Sequence, residues 1–239
     1  MRAKRGNPHT RLHLIYGLPR YARNDGVYNM KLYISDLHFY QSQLNTQLDM
    51  RGFESAEAMN SYMIRQWNSK VQGGDIVIVI GDFIGTRKPH EVNAILRRLN
   101  GKICLIEGNH DKDWLGRDGV DYDRFEWIKP YAELDDHGNT VILSHYPTFC
   151  YNHQHTRKSD GSPRTYMLYG HVHNSPDEKL VNEFQEITRR TVVTNAKGVT
   201  GPIPCQMINT FCMFSDYKPL SLEEWIKVDA ERRARLSAQ

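Results

Sequence analysis

The fold of this chain is indicated first by residues 102–111, which read KICLIEGNHD. The apolar, partly β-branched beginning of this stretch is typical of a buried strand, and it stops abruptly at a polar turn that contains glycine. In open α/β sheets, ligands bind outside the carboxyl ends of the strands, so polar side chains at this point are expected to face a site. Taken alone, Gly108–Asp111 fits an ordinary polar turn equally well.

Two earlier apolar segments end in polar clusters of the same kind. Met30–Ser35 is predicted to be a strand that delivers Asp36-Leu37-His38 at its carboxyl end. Asp75–Ile80 is apolar on both faces, as expected of a central strand that is covered on both sides, and it ends in Gly81-Asp82. In an extended segment, residues i and i+2 point the same way, so the Asp and His of the first cluster are able to bind one ion together.

Helical patterns separate these strands and close the chain. Apolar residues from Phe53 to Val71 recur at helical spacing, and Pro89 begins a shorter helix with apolar residues up to Leu99. The resulting order is β-α-β-α-β, with a polar cluster after each strand. Near the C-terminus, Ser221 and Glu224 form a Ser-x-x-Glu capping pattern, which predicts a last helix to about Leu236.

The second half of the chain is predicted to add strands and two more polar clusters. Trp127–Leu134 and Thr140–Leu143 are interpreted as the strands of a hairpin, and the second of them is followed by Ser144-His145. Tyr166–Tyr169 is a further strand, and it ends in Gly170-His171-Val172-His173.

The remaining segments carry weaker patterns. Residues 111–125 are rich in Asp, Gly and Arg and are predicted to form a surface loop. Residues 176–190 fit either a helix or a loop, whereas 191–194 and 206–214 are predicted to be strands.

The composition is that of a soluble globular protein, with 39% hydrophobic and 25% charged residues among 239. The net charge of +3 is too small to indicate a nucleic acid or a membrane as the partner. The four cysteines form no CxxC pair, so neither a disulfide framework nor a zinc knuckle is indicated. No apolar run approaches the roughly 20 residues of a membrane span, and the N-terminus lacks a secretory signal, so the cytoplasm is the expected location.

The first 29 residues differ from the rest, because they hold six Arg or Lys residues against one acid, Asp25. Three interpretations remain open: a poorly ordered tail, translation upstream of a natural start at Met30, or a basic arm that guides an anionic substrate or partner. We therefore divide the chain into a basic N-terminal extension, 1–29, and one domain, 30–239.

Five predicted strand ends present residues of the types that bind metal ions. They are Asp36 and His38, then Asp82, then Asn109 and His110, then His145, and finally His171 and His173. Oxygen and imidazole donors without thiolate suit Mn, Fe, Zn or similar divalent ions. Six or seven ligands are too many for one catalytic zinc, which keeps about three protein ligands and an open position. Two ions roughly 3.5–4 Å apart that share a carboxylate fit better.

In this order, the clusters resemble the motifs of the calcineurin-like metallophosphoesterases, which are DxH, GD, GNHD or GNHE, a single His, and GHxH. The resemblance extends over residues 31–174. More narrowly, the chain is similar to the small, single-domain bacterial and phage-type branch, for example at Arg51-Gly52-Phe53 and at Leu143–Pro147. The resemblance implies a four-layer α/β/β/α sandwich with two metals at the carboxyl ends of its strands.

The same resemblance assigns the ligands of two divalent ions, which would be Mn, Fe, Zn or Ni. The first ion would be held by Asp36, His38, Asp82 and His173. The second ion would be held by Asp82, Asn109, His145 and His171, with Asp82 bridging the two.

The activity that the resemblance implies is hydrolysis of a phosphate ester, by in-line attack of a hydroxide that the two ions share. His110 would protonate the leaving oxygen or clamp the phosphate, and Asp111 would fix the orientation of the His110 ring. Arg51, Arg87 and His153 are candidates for substrate contacts, with an ordinary surface position as the alternative for each of them.

A phosphodiesterase is the expected enzyme, because Gly81-Asp82 continues as Phe83–Arg87 without the GDxVDRG pattern of the protein phosphatases. The alternatives are a phosphomonoesterase or nucleotide phosphohydrolase, a nuclease that is recruited by the basic extension, and a non-catalytic scaffold on the same fold. The expected partner is a phosphoester in a small molecule or nucleotide, nucleic acid remains open, and no membrane partner is expected. The oligomeric state is not indicated.

Overall fold

The computed structural model describes residues 29–194 and 198–237. The basic extension defined from the sequence lies outside these ranges, except for Asn29. Within them, no helix is both long enough and apolar enough to cross a membrane.

In the described part of the chain, four parallel strands form the first sheet. They lie side by side in chain order as β1 (Lys31–Ile34), β2 (Ile76–Ile80), β3 (Lys102–Ile106) and β4 (Phe125–Lys129). The crossovers from β1 to β2 and from β2 to β3 contain α1 (Ala56–Lys70) and α2 (Pro89–Leu96). The predicted β-α-β-α-β unit is therefore confirmed, with its parallel strands joined by helical crossovers.

The second sheet also has four strands among the described residues. Its strands are β5 (Ala132–Asp136), β6 (Asn139–Leu143), β7 (Thr165–Tyr169) and β10 (Met207–Asn209). Between β7 and β10 in the chain, β8 (Val192–Thr194) and β9 (Thr200–Pro202) form a separate hairpin. The strand order in the second sheet is β10-β7-β6-β5, and only its β5–β6 pair is antiparallel. Helices α3 (Pro176–Arg190) and α4 (Leu222–Ser237) complete the fold.

The alternation of side chains along the strands produces four layers. In β2, Val77 and Val79 pack with α1 and α2, whereas Ile78 points to the core between the two sheets. In the second sheet, Leu168 faces that same core, and Met167 faces the outer side with α3. The predicted α/β/β/α sandwich is confirmed, because each sheet buries both of its faces.

One predicted strand is wrong. Trp127–Leu134 is divided into β4 and β5, which belong to different sheets. Pro130 lies at the break, and a proline has no backbone N–H with which to continue the ladder. The predicted hairpin is confirmed in its shorter form, because β5 pairs antiparallel with β6.

Three weaker predictions are also resolved. The segment 111–125 is not entirely a surface loop, because Trp114 is fully buried and stacks on Phe125. Residues 176–190 form α3, with Ser175 as the N-cap and Pro176 in the first turn. The strand predicted over 206–214 ends at Asn209 and continues into a short 3-10 helix.

The capping box at the start of α4 is confirmed. The Ser221 amide donates to Glu224 Oε2 over 2.9 Å, and the Glu224 amide donates to Ser221 Oγ over 3.3 Å. We expect Ser221→Ala to lower the free energy of unfolding by about 1 kcal/mol, because one of the first amides of the helix loses its acceptor. Urea denaturation measures this change.

Ser159→Ala is the matched control for this variant, because Ser159 is exposed in a turn. We expect it to change the free energy of unfolding by less than about 0.5 kcal/mol. An equal loss in both variants would contradict the capping role of Ser221.

Candidate metal centre

The polar clusters that follow the strands meet at one edge of the sandwich. Asp36 and His38 follow β1, Asp82 follows β2, and His171 and His173 follow β7. These residues have left-handed backbone conformations, with φ between 48° and 70°. Such values are costly for residues other than glycine, and they are found at functional sites where the surrounding structure enforces them.

The first group of converging side chains consists of Asp36, His38 and His173. His38 Nε2 lies 3.3 Å from His173 Nε2, and His173 Nε2 lies 3.5 Å from Asp36 Oδ1. All three side chains are nearly inaccessible to solvent. The structure therefore brings these three candidate ligand residues together.

The second group consists of Asp82, His145 and His171, joined by Asn109. Asn109 Oδ1 lies 3.1 Å from His145 Nε2 and 2.9 Å from His171 Nδ1. Asp82 Oδ2 lies 3.4 Å from His145 Nε2. His145 is buried, whereas His171 is on the exposed side of the group.

Asp82 connects the two groups through a single oxygen atom. Its Oδ2 lies 3.6 Å from His38 Nε2 in the first group, in addition to its approach to His145 in the second. Its other oxygen, Oδ1, accepts a hydrogen bond of 2.7 Å from the His110 backbone amide. The carboxylate therefore has one oxygen anchored by the backbone and one oxygen between the two groups.

The spacing of these atoms fits divalent metal ions. Two ligand atoms that each lie about 2.1 Å from one cation are about 3.0 Å apart at a right angle and about 3.4 Å apart at the tetrahedral angle. The separations within the two groups, 2.9–3.5 Å, match that range. In addition, Asp36 Oδ2 is buried and has no hydrogen-bond partner among the described residues, as expected of an atom reserved for a cation.

In three histidines, the ring nitrogen Nδ1 lies within hydrogen-bond distance of an oxygen acceptor. His38 Nδ1 lies 2.8 Å from Gln41 Oε1, and His145 Nδ1 lies 3.0 Å from the Ile80 carbonyl oxygen. His173 Nδ1 lies 2.6 Å from Asp49 Oδ1. These acceptors favour the proton on Nδ1, which leaves the Nε2 lone pair facing the site for a metal ion.

Asp49 is a functional residue that the sequence analysis missed. Its carboxylate accepts from His173 and also pairs with the Arg51 guanidinium, at 2.8 Å. A carboxylate behind a ligating histidine is a frequent feature of metal sites. Asp49 lies in a turn rather than at a strand end, so the spacing of the strand-end motifs offered no signal for it.

The electrostatics of the site favour a positive charge. Burial by itself raises the pKa of Asp36, but the neighbouring His173 and His145 lower it well below its ordinary value. Burial lowers the pKa of His173, yet Asp36 and Asp49 outweigh it and raise the pKa to about 9. For His145, Asp82 and Asp36 likewise outweigh burial and raise the pKa to about 9. The carboxylates thus create a negative potential that a bound cation would neutralise.

Two glycines allow the loops to approach this closely. A Cβ atom at Gly81 would overlap the His145 imidazole, and a Cβ atom at Gly108 would overlap the Asp82 backbone and carboxylate. Gly81 also has φ +79°, a value that other residues rarely adopt. The lack of space for a side chain therefore explains why glycine occupies these positions in the GD and GNHD motifs.

The predicted role of Asp111 is corrected. Its carboxylate accepts hydrogen bonds from the backbone amides of Asp82, Phe83 and Gly108, each over 2.9 Å, and from the Trp114 indole over 3.1 Å. Among the described residues, it makes no hydrogen bond with the His110 ring. Asp111 is fully buried, and this burial raises its pKa to about 6 despite the opposing amides. It holds the loops together instead of orienting the histidine.

His110 itself lies at the rim of the first group. Its ring is edge-on to the His38 ring, with 5.2 Å between the centroids. The ring makes no hydrogen bond within the described part of the chain, so its nitrogens are available to an incoming group.

The predicted substrate contact of Arg51 is not supported. Its guanidinium is buried and donates to the Leu37 carbonyl over 2.7 Å and to the Asp36 carbonyl over 2.9 Å, besides its pair with Asp49. These bonds hold the loop after β1 in its left-handed conformation. Arg51 therefore supports the backbone of the candidate ligand Asp36, and these bonds occupy its donors.

The other two candidate substrate residues lie on the surface. The Arg87 side chain is 71% exposed and pairs with Asp113 at 2.9 Å. His153 is exposed in its loop, and no side-chain contact within the described ranges joins it to the ligands. By contrast, Tyr146, which the sequence analysis did not select, packs edge-on against His171 with 4.6 Å between ring centroids and is half exposed.

Comparisons with known proteins bear on the family and the fold of this chain. Residues 30–214 match the calcineurin-like phosphoesterase superfamily domain. An uncharacterized protein of Methanocaldococcus jannaschii is 28% identical over 200 residues, which are 83% of this chain and 90% of that protein. A crystal structure of a protein of unknown function from Aquifex aeolicus aligns with a TM-score of 0.54 at 22% identity, over 84% of this chain and 100% of that chain. At that identity, the structural likeness shows the fold alone.

We expect Asp111→Asn to lower the free energy of unfolding by about 2–4 kcal/mol, because an amide group cannot accept all of the N–H donors that surround the buried carboxylate. Urea denaturation of the metal-free protein measures the change. The control is Asp113→Asn, two residues away, which removes only an exposed ion pair with Arg87. That variant should lose less than about 1 kcal/mol, and equal losses would contradict the role given to Asp111.

Proposed function

Because the chain belongs to the calcineurin-like phosphoesterase superfamily, we propose that it hydrolyses a phosphate ester with two divalent metal ions bound at the strand ends. The observation that carries this proposal is the position of Asp82 Oδ2, which lies 3.6 Å from His38 Nε2 and 3.4 Å from His145 Nε2. A carboxylate oxygen within reach of both groups can serve as the shared ligand of a two-metal site.

The residues of each group would hold one ion. Asp36, His38, Asp82 and His173 would hold the first, and Asp82, Asn109, His145 and His171 would hold the second. The ions would activate water and neutralise the charge that develops on the phosphoryl oxygens. A donor set of carboxylate, amide and imidazole suits Mn, Fe, Zn or Ni.

His110 would serve as the proton donor to the leaving oxygen. Its backbone amide is anchored to Asp82 Oδ1 over 2.7 Å, which fixes the position of its side chain relative to the bridging carboxylate. Its ring lies beside His38 but outside the two groups, so it can meet the substrate without being a ligand. General-acid catalysis by a histidine needs this combination of a fixed position and a free ring nitrogen.

A phosphodiester is the substrate class that we favour. A monoester carries two negative charges at neutral pH, and enzymes often bind such a group with a bidentate arginine. The two arginines considered from the sequence do not offer this, since Arg51 is bonded to backbone carbonyls and Arg87 to Asp113. A diester carries a single negative charge, so it requires fewer cationic side chains in addition to the two metal ions. The half-exposed Tyr146 ring beside His171 would supply an apolar wall for the second ester group.

Two substitutions separate metal binding from proton transfer. We expect Asp82→Ala to lose bound metal at both sites together with hydrolysis, because one side chain serves both groups. We expect His110→Ala to keep both metals and to lower kcat by about 10²–10⁴, the usual contribution of a general acid. Metal content by mass spectrometry and turnover of a chromogenic phosphoester measure the two effects.

The exposed variant Arg87→Ala is the control, with unchanged metal content and turnover. Loss of metal from the His110→Ala protein would contradict its assignment as a non-ligand. Full metal content in the Asp82→Ala protein would contradict the bridging role.

The substrate class is tested with a matched pair of chromogenic esters. On protein loaded with Mn, we expect kcat/KM for bis(p-nitrophenyl) phosphate to exceed that for p-nitrophenyl phosphate by at least about tenfold, which corresponds to about 1.4 kcal/mol. The opposite order would favour a phosphomonoesterase. A metal-loaded protein that is inert toward both esters would support the non-catalytic scaffold.

A further inference from the structure

Helix α3 carries apolar side chains on two sides. Val181 on the inner side is buried with the outer face of the second sheet. A second stripe consists of Leu180, Phe184 and Ile187, of which Leu180 and Ile187 are each 61% exposed. Apolar residues that alternate at spacings of four and three form the seam along which helices pack against one another. Such exposure is unusual in a helix that already has a buried face.

A neighbouring aromatic residue extends this stripe. The Phe149 ring stacks on the Phe184 ring, with 4.1 Å between the centroids, and remains 49% exposed. We call Leu180, Phe184, Ile187 and Phe149 together the α3 surface. Contiguous exposed apolar groups of this kind are typical of protein interfaces.

The hairpin of β8 and β9 adjoins the C-terminal end of the α3 surface. Within the described residues, these two strands pair only with each other. Val192 is 62% exposed and Val193 is 37% exposed. Because an isolated two-stranded hairpin is marginally stable in water, a partner on this side would also stabilise the hairpin.

Two residues of opposite charge beside the apolar stripe indicate that a second copy of this chain fits the α3 surface. Glu183 and Arg190 are both exposed and lie on the same side of the stripe, seven residues apart. In an antiparallel pair of helices, residues on the same flank of the seam face one another. When Phe184 of one copy packs against Ile187 of a second copy, Glu183 therefore faces Arg190 of that copy. A twofold axis then repeats both contacts.

We propose that two copies of this chain associate through the α3 surface, with their α3 helices antiparallel about a twofold axis. The apolar stripe supplies the buried contact, and the two Glu183–Arg190 pairs select the antiparallel register. Since α3 begins at Pro176, soon after His173, the interface would lie on the helix that follows the turn with His171 and His173. This inference rests on the surface of α3 and does not depend on the proposed hydrolysis.

Sedimentation velocity of the full chain over a concentration series tests the association. From about 1 μM to about 100 μM, we expect the wild-type protein to be a dimer and Leu180→Glu to be a monomer, because the variant would place two charges in the apolar seam. The matched control is Leu48→Glu, which alters a leucine that is 65% exposed but lies outside the α3 surface. It should remain a dimer, and circular dichroism should show that both variants are folded.

A charge exchange tests the register. We expect Glu183→Arg and Arg190→Glu each to weaken the dimer by at least about tenfold, since each change turns two attractions into two repulsions. The double variant should restore the affinity to within about threefold of wild type, because the pairs are re-formed with reversed sign.

A wild-type protein that is monomeric at every concentration would overturn the proposal and would leave the α3 surface for a different protein. A Leu180→Glu protein that remains dimeric would overturn it as well, because the dimer would then use another face. Failure of the double variant to recover would exclude the antiparallel arrangement.

Discussion

The carboxylate of Asp111 is the constraint on which the geometry of the site depends. It accepts N–H groups from the loop after β2, at Asp82 and Phe83, and from the loop after β3, at Gly108. It thereby fixes the distance between Asp82 and Asn109 without touching the site itself. The carboxylate is fully buried, and the four N–H groups that donate to it stabilise its charge.

A second layer of contacts supports the left-handed conformation of the turns that carry the candidate ligands. Arg51 holds the carbonyls of Asp36 and Leu37, and the His171 amide donates to Asp36 Oδ1. These contacts offset the backbone strain that the ligand residues carry. The bond from the His171 amide to Asp36 also joins the two sheets at the carboxyl ends of their strands, since Asp36 follows β1 in the first sheet and His171 follows β7 in the second. The site is therefore one of the places at which the two halves of the sandwich are joined, besides the core between the sheets.

Much of the fold follows from local patterns. The buried strand β2 and the helix α1 were predictable because an unbroken apolar run and a helical period each indicate one structure. The division of 127–134 between two sheets was not predicted, since the apolar pattern continues through Pro130 and the proline alone carried the signal. The polar segment that forms α3 was ambiguous, because its identity as a helix depends on packing against the second sheet.

The sequence by itself determined the family and predicted which residues converge at the site, because each motif is a short run of residues whose spacing around a strand end is local. Only the tertiary structure decided the roles of Asp49, Arg51 and Asp111. Asp49 reaches His173, and Asp111 reaches the backbone of Asp82, across many residues of chain. In the sequence, an aspartate whose carboxylate accepts from backbone amides cannot be distinguished from one that orients a catalytic ring. The difference between them is the position of their partners in space, which folding alone establishes.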